Sequence, residues 1–298
     1  MKRIQLNIFQ NIFTIITIFL FFGCNPSNKS NTKDNHQVSN QTLFSFAYNQ
    51  KQKSLVSAHR GGHNLKGYPE NCIETMDFLY DKGITIFEID VAKTKDNELI
   101  LMHDNSLQRT STGREDVNQI NLSKIKEYFL VDDFGSETTF RIPTFEEAIQ
   151  WGKNKPIYFM IDIKKDVPYK QIITSIRNLQ MEKQVVLVSY SVNQAKKLNQ
   201  LAPEMYLSVS MRNEKEFEEM INSGIPTSKM VAFTGTKRSP KSLFDKIHNE
   251  NIMVIFGTLG NIDKSAAARG NKIYKELEND GVDIFATDRA LEVFQTIN

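Results

Sequence analysis

Short apolar runs alternate with longer amphipathic stretches along most of the chain from Ser54 onward. Runs rich in β-branched and aromatic residues predict strands at residues 55–58, 86–91, 99–103, 157–163, 185–190, 205–209, 230–233, 252–256 and 283–287. Helical periodicity predicts helices at residues 71–82, 144–151, 169–181, 192–200, 214–223, 240–250 and 266–280. This alternation predicts an α/β fold, a (β/α)8 TIM barrel in a single domain.

Two features of the pattern depart from a simple barrel. Nine strands are predicted where eight are needed, and residues 93–98 are too few to hold a crossover helix. We therefore expect residues 86–91 and 99–103 to pair as a hairpin. Residues 105–141 show little periodicity and predict an excursion over the barrel mouth after the third strand. The alternative is a doubly wound open sheet, which the lack of a glycine-rich phosphate fingerprint or a P-loop disfavours. Asn71 and Glu74 have the spacing of a helix capping box.

The N-terminus has the pattern of a secretory signal. A basic start, an apolar stretch over residues 12–22 and a cysteine at position 24 follow one another, and residues 20–24 resemble a bacterial lipobox. We expect residues 1–24 to be a lipoprotein signal peptide, 25–50 a flexible polar tether and 51–298 the barrel domain. Cleavage would leave a lipidated Cys24 that holds an exported protein at a bacterial membrane, facing the periplasm or the exterior. The alternative is a plain anchor helix with an ordinary cysteine.

Net charge and cysteine content add little to the prediction of fold and location. The formal net charge of +2 does not favour a nucleic-acid partner. The second cysteine of the chain, Cys72, is expected to be a small buried residue. The sequence does not define the oligomeric state.

Chemically useful side chains follow or lie within three predicted strands. Glu88 and Asp90 are two apart in a strand, so they point to one face, and a hard cation such as Mg²⁺ or Ca²⁺ would relieve their repulsion. An edge strand with one wet face is the alternative interpretation. His59 and Arg60 follow the first strand, and His103 ends the third. Because ligands gather at the carboxyl ends of barrel strands, these side chains predict a site there.

Several ordered motifs make the chain resemble the glycerophosphodiester phosphodiesterase family, whose members have a phospholipase C-like TIM barrel. They are HRG at His59, PENC at Pro69, EIDV at Glu88, LMHDNSLQRTSTG over residues 101–113, and the segments 142–148, 161–164 and 281–289. The resemblance implies metal-dependent hydrolysis of glycerophosphodiesters to glycerol phosphate and an alcohol. It gives His59 and His103 acid–base roles, Arg60 and Lys164 phosphate binding, Glu88, Asp90, Asp162 and Glu70 the metal, and Asn71 a place in the pocket. Glu70 could instead only favour a helix N-terminus.

Two departures from the family leave questions open. Asp162 stands where the family usually has Glu and is one methylene shorter, so the cation, Ca²⁺ or Mg²⁺, and the directness of its bond stay open. Residues 256–260 differ from the family's usual segment, which leaves the alcohol open. A phospholipase-like or teichoic-polymer-cleaving enzyme of the same fold is an alternative, as is a non-catalytic lipoprotein that binds a phospho-ligand.

Overall fold

A computed structural model describes residues 43–298, and its central feature is a closed barrel of eight parallel strands. The strands are β1 (Leu55–Ala58), β2 (Ile86–Lys93), β6 (Tyr158–Ile163), β7 (Val185–Ser189), β8 (Tyr206–Ser210), β9 (Met230–Phe233), β10 (Val254–Gly257) and β11 (Ile284–Thr287), in that order around the ring. Pairing of β1 with both β11 and β2 closes the ring. The predicted TIM barrel is therefore confirmed, and the doubly wound alternative is wrong.

Helices surround the barrel and cover its outer face. They are α1 (Ile73–Tyr80), α3 (Phe145–Gly152), α4 (Tyr169–Leu179), α5 (Val192–Leu201), α6 (Glu214–Ile221), α7 (Lys241–Asn249), α8 (Asn261–Arg269), α9 (Lys272–Asp280) and α10 (Ala290–Ile297). Alternate strand residues such as Phe87, Phe159 and Leu207 are fully buried against the apolar faces of these helices. A second apolar cluster, which includes Ile86 and Met160, fills the inside of the barrel.

The ninth predicted strand lies outside the ring. β3 (Leu99–Leu101) pairs antiparallel with the end of β2, as expected for a hairpin. The excursion that follows contains α2 (Leu122–Ile125) and a hairpin of β4 (Phe129–Val131) and β5 (Glu137–Arg141). It has an apolar cluster of its own, built around residues such as Leu107 and Ile142. The excursion is thus an ordered layer rather than a plain loop.

The amino end of the barrel is closed by residues 43–48, which we call the strap. Phe46 is 2% exposed and packs against Tyr158 and Tyr206, the first residues of β6 and β8, with ring centroids 4.5 and 5.0 Å apart. Tyr48 stacks on the imidazole of His248 at 3.7 Å. The predicted tether over residues 25–50 is therefore wrong for the strap, because its aromatic side chains fill the open end of the barrel. The predicted domain boundary at residue 51 correspondingly lies inside the folded unit.

Three local predictions differ from the structure. The helix predicted over residues 266–280 is two helices, α8 and α9, and Gly270 with φ +96° separates them. The C-terminal helix α10 was not predicted. Asn71 does not cap α1, which begins at Ile73 after Cys72 and has no side-chain cap. The side chain of Asn71 bonds Asp90 instead.

The lipobox and the signal peptide lie outside the described residues. So does the part of the predicted tether that precedes residue 43. Within residues 43–298, no helix combines the length and the apolar character needed to cross a bilayer.

Candidate active site

A cavity of about 190 Å³ opens at the carboxyl ends of the barrel strands. His59, His103, Glu88, Asp90 and Asp162 all line it, so the structure brings together five of the site residues predicted from sequence. Its remaining wall is largely apolar and includes Met160, Phe233, Ile255 and Leu259. Of the segment 256–260 that departs from the family pattern, Leu259 reaches this wall.

The three carboxylates form one cluster because of strand register. Glu88 and Asp90 continue the inner face of β2, and Asp90 lies directly beside Asp162 of β6. One oxygen from each of the three lies within 4.8 Å of the others. A set of three carboxylate oxygens at this spacing fits a hard divalent cation. Lys164, placed just after β6, donates to Asp90 at 2.6 Å and to Asp162 at 2.8 Å.

The side chains of the acidic cluster and Lys164 have pKa values shifted from their usual ones. Burial and the neighbouring charge of Asp90 raise the pKa of Glu88 to about 8. Burial also raises the pKa of Asp90, but the ammonium of Lys164 and hydrogen bonds from Lys164 and Asn71 outweigh it and lower that pKa below its usual value. The pKa of Lys164 is raised, since the charges of Asp90 and Asp162 outweigh its burial. The cluster thus combines a carboxyl that ionises less readily than usual, Glu88, with the positive charge of Lys164.

His59 is held by a carboxylate from the far end of the chain. Its Nδ1 lies 2.7 Å from Asp288, which follows β11, the neighbour of β1. Burial lowers the pKa of His59, but the bond to Asp288 and the charges of Glu88 and Asp288 outweigh burial and raise it. Asp288 is itself fixed, because its N–H donates to Asp263 at 2.8 Å. Nε2 of His59 lies 4.0 Å from Glu88, on the cavity side.

Arg60 adopts a backbone conformation that few side-chain-bearing residues use. Its φ of +55° turns its N–H toward Glu88, to which it donates at 2.8 Å. Gly62 follows with φ +131°, and a Cβ there would come within 2.6 Å of Thr75. The HRGG sequence therefore encodes a tight turn that aims both the backbone and the side chain of Arg60.

His103 is the second imidazole of the site. Met102 N–H donates to the carbonyl of Asp90 at 3.0 Å, which holds the residue before His103 against β2. Nδ1 of His103 lies 2.6 Å from Asp104, and Asp104 accepts a bond from Nε of Arg109 at 2.6 Å. The side-chain bond to Arg109 holds the pKa of Asp104 well below its usual value although burial opposes it.

Glu70 and Asn71 lie beside the cluster in different roles. Glu70 is not among the three clustered carboxylates but belongs to a second group that could hold a cation, with His63 and Asp133. It is 3% exposed and accepts bonds from both Arg60 and Arg109. The assignment of Glu70 as a metal ligand therefore stays a prediction, and in this structure its oxygens accept hydrogen bonds from two guanidinium groups. The amide of Asn71 bonds Asp90 twice, at 2.8 and 3.0 Å, and fixes that carboxylate.

Asp288 and Arg109 were not predicted as site residues. Both lie in motifs that the sequence displays, but their roles depend on contacts with residues far along the chain. The fold and site define a (β/α)8-barrel protein with an acidic cluster that could hold a cation, flanked by two imidazoles that are each backed by a carboxylate.

Comparisons with known proteins narrow this class. The sequence profile of the Glycerophosphoryl diester phosphodiesterase family matches residues 59–290. A Glycerophosphodiester phosphodiesterase of Caldanaerobacter subterraneus subsp. tengcongensis is 29% identical over 163 residues, which are 53% of this chain and 66% of that protein, just under two thirds of its length. The chain belongs to the glycerophosphoryl diester phosphodiesterase family, and the sequence prediction of this family is confirmed.

Solved structures agree with the family. A glycerophosphoryl diester phosphodiesterase from Parabacteroides distasonis is 31% identical, covers 86% of this chain and 92% of its own, and superposes with a TM-score of 0.80. A phosphodiesterase from Oleispira antarctica, solved with its product sn-glycerol-3-phosphate, has a TM-score of 0.63 at 17% identity over 82% of this chain and 97% of its own. The second likeness supports the fold alone.

Proposed function

We propose that this protein hydrolyses glycerophosphodiesters to glycerol phosphate and an alcohol. The observation that carries the proposal is the shared cavity, in which two carboxylate-backed imidazoles face three clustered carboxylates. A phosphodiester needs proton transfer at the attacking and leaving oxygens and positive charge at the nonbridging oxygens. The family membership supports a glycerol-based substrate.

Glu88, Asp90 and Asp162 would hold a divalent cation, Ca²⁺ or Mg²⁺. Their oxygen-only donor set favours such hard cations over softer transition metals. When bound, the cation supplies Lewis-acid polarisation of the phosphoryl oxygens. Lys164 and Arg60 add fixed positive charge for the phosphate. Nε of Arg60 is buried and has no hydrogen-bond partner among residues 43–298.

His59 and His103 would transfer the protons in two steps. A glycerol hydroxyl beside the phosphate gives its proton to one imidazole as its oxygen attacks phosphorus, and the other imidazole protonates the departing alkoxide. The product is a cyclic phosphate. Water then opens the ring, with the two imidazoles in exchanged roles, and yields glycerol phosphate. In both imidazoles Nδ1 faces a carboxylate, which leaves Nε2 for this work.

Turnover of a panel of glycerophosphodiesters tests the activity. Soluble diesters and intact phospholipids in vesicles are offered to the purified protein with chelator, and then with Ca²⁺ or Mg²⁺ restored. We expect turnover of soluble diesters, its loss with chelator and its return with one of the ions. Cleavage of intact lipids alone would favour the phospholipase-like alternative, and no turnover with either ion would contradict the proposal.

A histidine pair provides a matched test of the mechanism. His103→Ala should lower kcat by about 10²- to 10⁴-fold, the usual contribution of a general acid or base. His248→Ala removes an imidazole at the opposite end of the barrel and should leave the kcat of the folded protein nearly unchanged. Phosphorus NMR during turnover should reveal a cyclic phosphate. Solvent oxygen incorporated in the first step, with no cyclic species formed, would contradict the two-step route.

We also propose that the protein is exported and anchored at a bacterial membrane through a lipidated Cys24. The basic, apolar and cysteine order of residues 1–24 supports this location. An enzyme so placed would meet glycerophosphodiesters outside the cytoplasm.

A further inference from the structure

Arg109 lies at the centre of a line of alternating charges that joins the two sides of the site. Its Nε and one terminal nitrogen donate to Asp104 at 2.6 and 3.1 Å, and both terminal nitrogens donate to Glu70 at 2.8 Å. Asp104 faces Nδ1 of His103, and Glu70 accepts from Arg60 at 3.0 and 3.2 Å. One guanidinium therefore contacts the partner of an acid–base imidazole and the partner of a phosphate-binding arginine.

The two carboxylates differ in how much they depend on Arg109. Glu70 has 2% of its side chain exposed, so its charge must be matched by protein groups, and Arg60 and Arg109 share that task. Asp104 is 31% exposed and has Arg109 as its guanidinium partner. Without Arg109, Glu70 would be left to Arg60 and to the imidazole of His63, whose Nε2 lies 3.5 Å away, and Asp104 would be free to rotate away from His103.

The bond to Asp104 also sets which nitrogen of His103 is free. The Arg109 guanidinium holds the pKa of Asp104 well below its usual value, so this carboxylate is ionised and accepts a hydrogen bond. Nδ1 of the neutral imidazole must then carry the hydrogen, and Nε2 is left as the acceptor toward the cavity.

We propose that Arg109 is a positioning residue for the reaction, which orients His103 through Asp104 and holds Arg60 in place through Glu70. The kinetic part of this inference rests on the proposed phosphodiesterase activity. The geometric part, the orientation and tautomer of His103, does not. A lysine cannot reproduce the contacts, because a single ammonium cannot donate in a planar fork to two carboxylates.

The two effects of Arg109, on His103 through Asp104 and on Arg60 through Glu70, can be separated by the kinetics of three site variants and one control. Asp104→Asn should lower kcat with little change in KM, and Glu70→Gln should raise KM more than it lowers kcat. Arg109→Lys should do both, with kcat lower by about 10- to 100-fold, the range known for outer partners of functional imidazoles. The matched control is Arg177→Lys, which alters an exposed arginine paired with Glu204 outside the site and should leave both constants within about twofold.

A double mutant tests whether Arg109 acts through Asp104. Arg109→Lys combined with Asp104→Asn should cost no more in kcat than the larger single change, since both remove the same restraint on His103. Additive losses would overturn the proposal. So would unchanged kcat and KM in Arg109→Lys. Thermal unfolding of each variant gives the folded fraction by which its rates are corrected. If Arg109→Lys does not fold, Asp104→Asn still tests the effect on His103, and Glu70→Gln still tests the effect on Arg60.

The His103 tautomer gives a readout that needs no turnover. Nitrogen-15 shifts of the imidazole should place the hydrogen on Nδ1 in the wild type and Arg177→Lys, and should move toward a mixture of tautomers in Arg109→Lys. An unchanged tautomer in Arg109→Lys would overturn the proposal even where kcat falls. If the wild type turns over no diester, the proposed function fails, and the shifts alone decide the positioning role.

Discussion

At the scale of single residues, the two imidazoles of the site are built in the same way. Nδ1 of His59 lies 2.7 Å from Asp288, and Nδ1 of His103 lies 2.6 Å from Asp104. Each carboxylate is in turn fixed by a donor, the backbone of Gly260 for Asp288 and the guanidinium of Arg109 for Asp104. An imidazole held at one nitrogen presents the other in a defined direction and protonation state.

Replacing Asp288 by Asn should lower the pKa of His59. The carboxylate favours the imidazolium, so the folded-state pKa is raised, and removing its charge while keeping the side-chain shape takes that contribution away. Proton NMR titration of the His59 ring measures the shift. Asp283→Asn is the matched control, because it takes a carboxylate 2.8 Å from His248 and should leave His59 unmoved. An equal or higher pKa of His59 in Asp288→Asn would contradict this account.

Cation binding should release a proton from Glu88. With its pKa raised to about 8, this carboxyl is mostly protonated at pH 7, whereas a bound cation requires the carboxylate. Calorimetry at pH 7 in buffers of different ionisation enthalpy should give a release of about one proton. The release should decline as the pH rises through about 8, and the apparent affinity should increase over the same range. Glu88→Gln should release none; binding enthalpies that do not depend on the buffer would rule the idea out.

At the scale of elements, the strands of the barrel were predictable because they are dense in β-branched and aromatic residues. The elements missed have weaker signals: β4 is only three residues long, and β5 alternates between exposed and half-buried positions. The strap was missed because its polar neighbours in the sequence suggested a tether. The residues that its apolar side chains pack against come together only at the amino end of the folded barrel. Gly270 inside a helical pattern was the one local sign that α8 and α9 are separate.

The candidate site was predictable where its residues follow strand ends. Glu88, Asp90 and Asp162 meet because strands β2 and β6 are neighbours, which the barrel itself implies. The sequence could not show that Glu70 accepts hydrogen bonds from two arginines, since one of them, Arg109, lies 39 residues away in the excursion. Nor could it pair His59 with a carboxylate 229 residues further along.

The strap should contribute measurably to stability. Phe46→Ala empties a site that is 2% exposed and should lower the free energy of unfolding by about 3–5 kcal/mol. Phe134→Ala makes the same change at a side chain that is 60% exposed and should change the free energy of unfolding by less than about 0.5 kcal/mol. Urea denaturation of the two variants beside the wild type checks this. Equal stabilities of the two variants would show that the strap adds nothing.

At the scale of the whole molecule, the proposed anchor predicts a change of location. Cys24→Ser should remove the acceptor of the lipid and shift the protein from the membrane fraction to the soluble fraction, because a lipid chain supplies the membrane affinity. Cys72→Ser changes the other cysteine, which is buried in the folded domain, and should leave the distribution as it is. Fractionation of cells that produce each variant measures the difference, and a membrane-bound Cys24→Ser protein would disprove the lipid anchor.

The pairing of β1 with β11 has a consequence for biosynthesis. Ser54 bonds the carbonyl of Val282 across 228 residues of chain, so the ring cannot close until the last strand has left the ribosome. The same closure delivers Asp288 to His59. A copy that ends before β11 therefore lacks both the strand that closes the ring and the carboxylate that aligns His59.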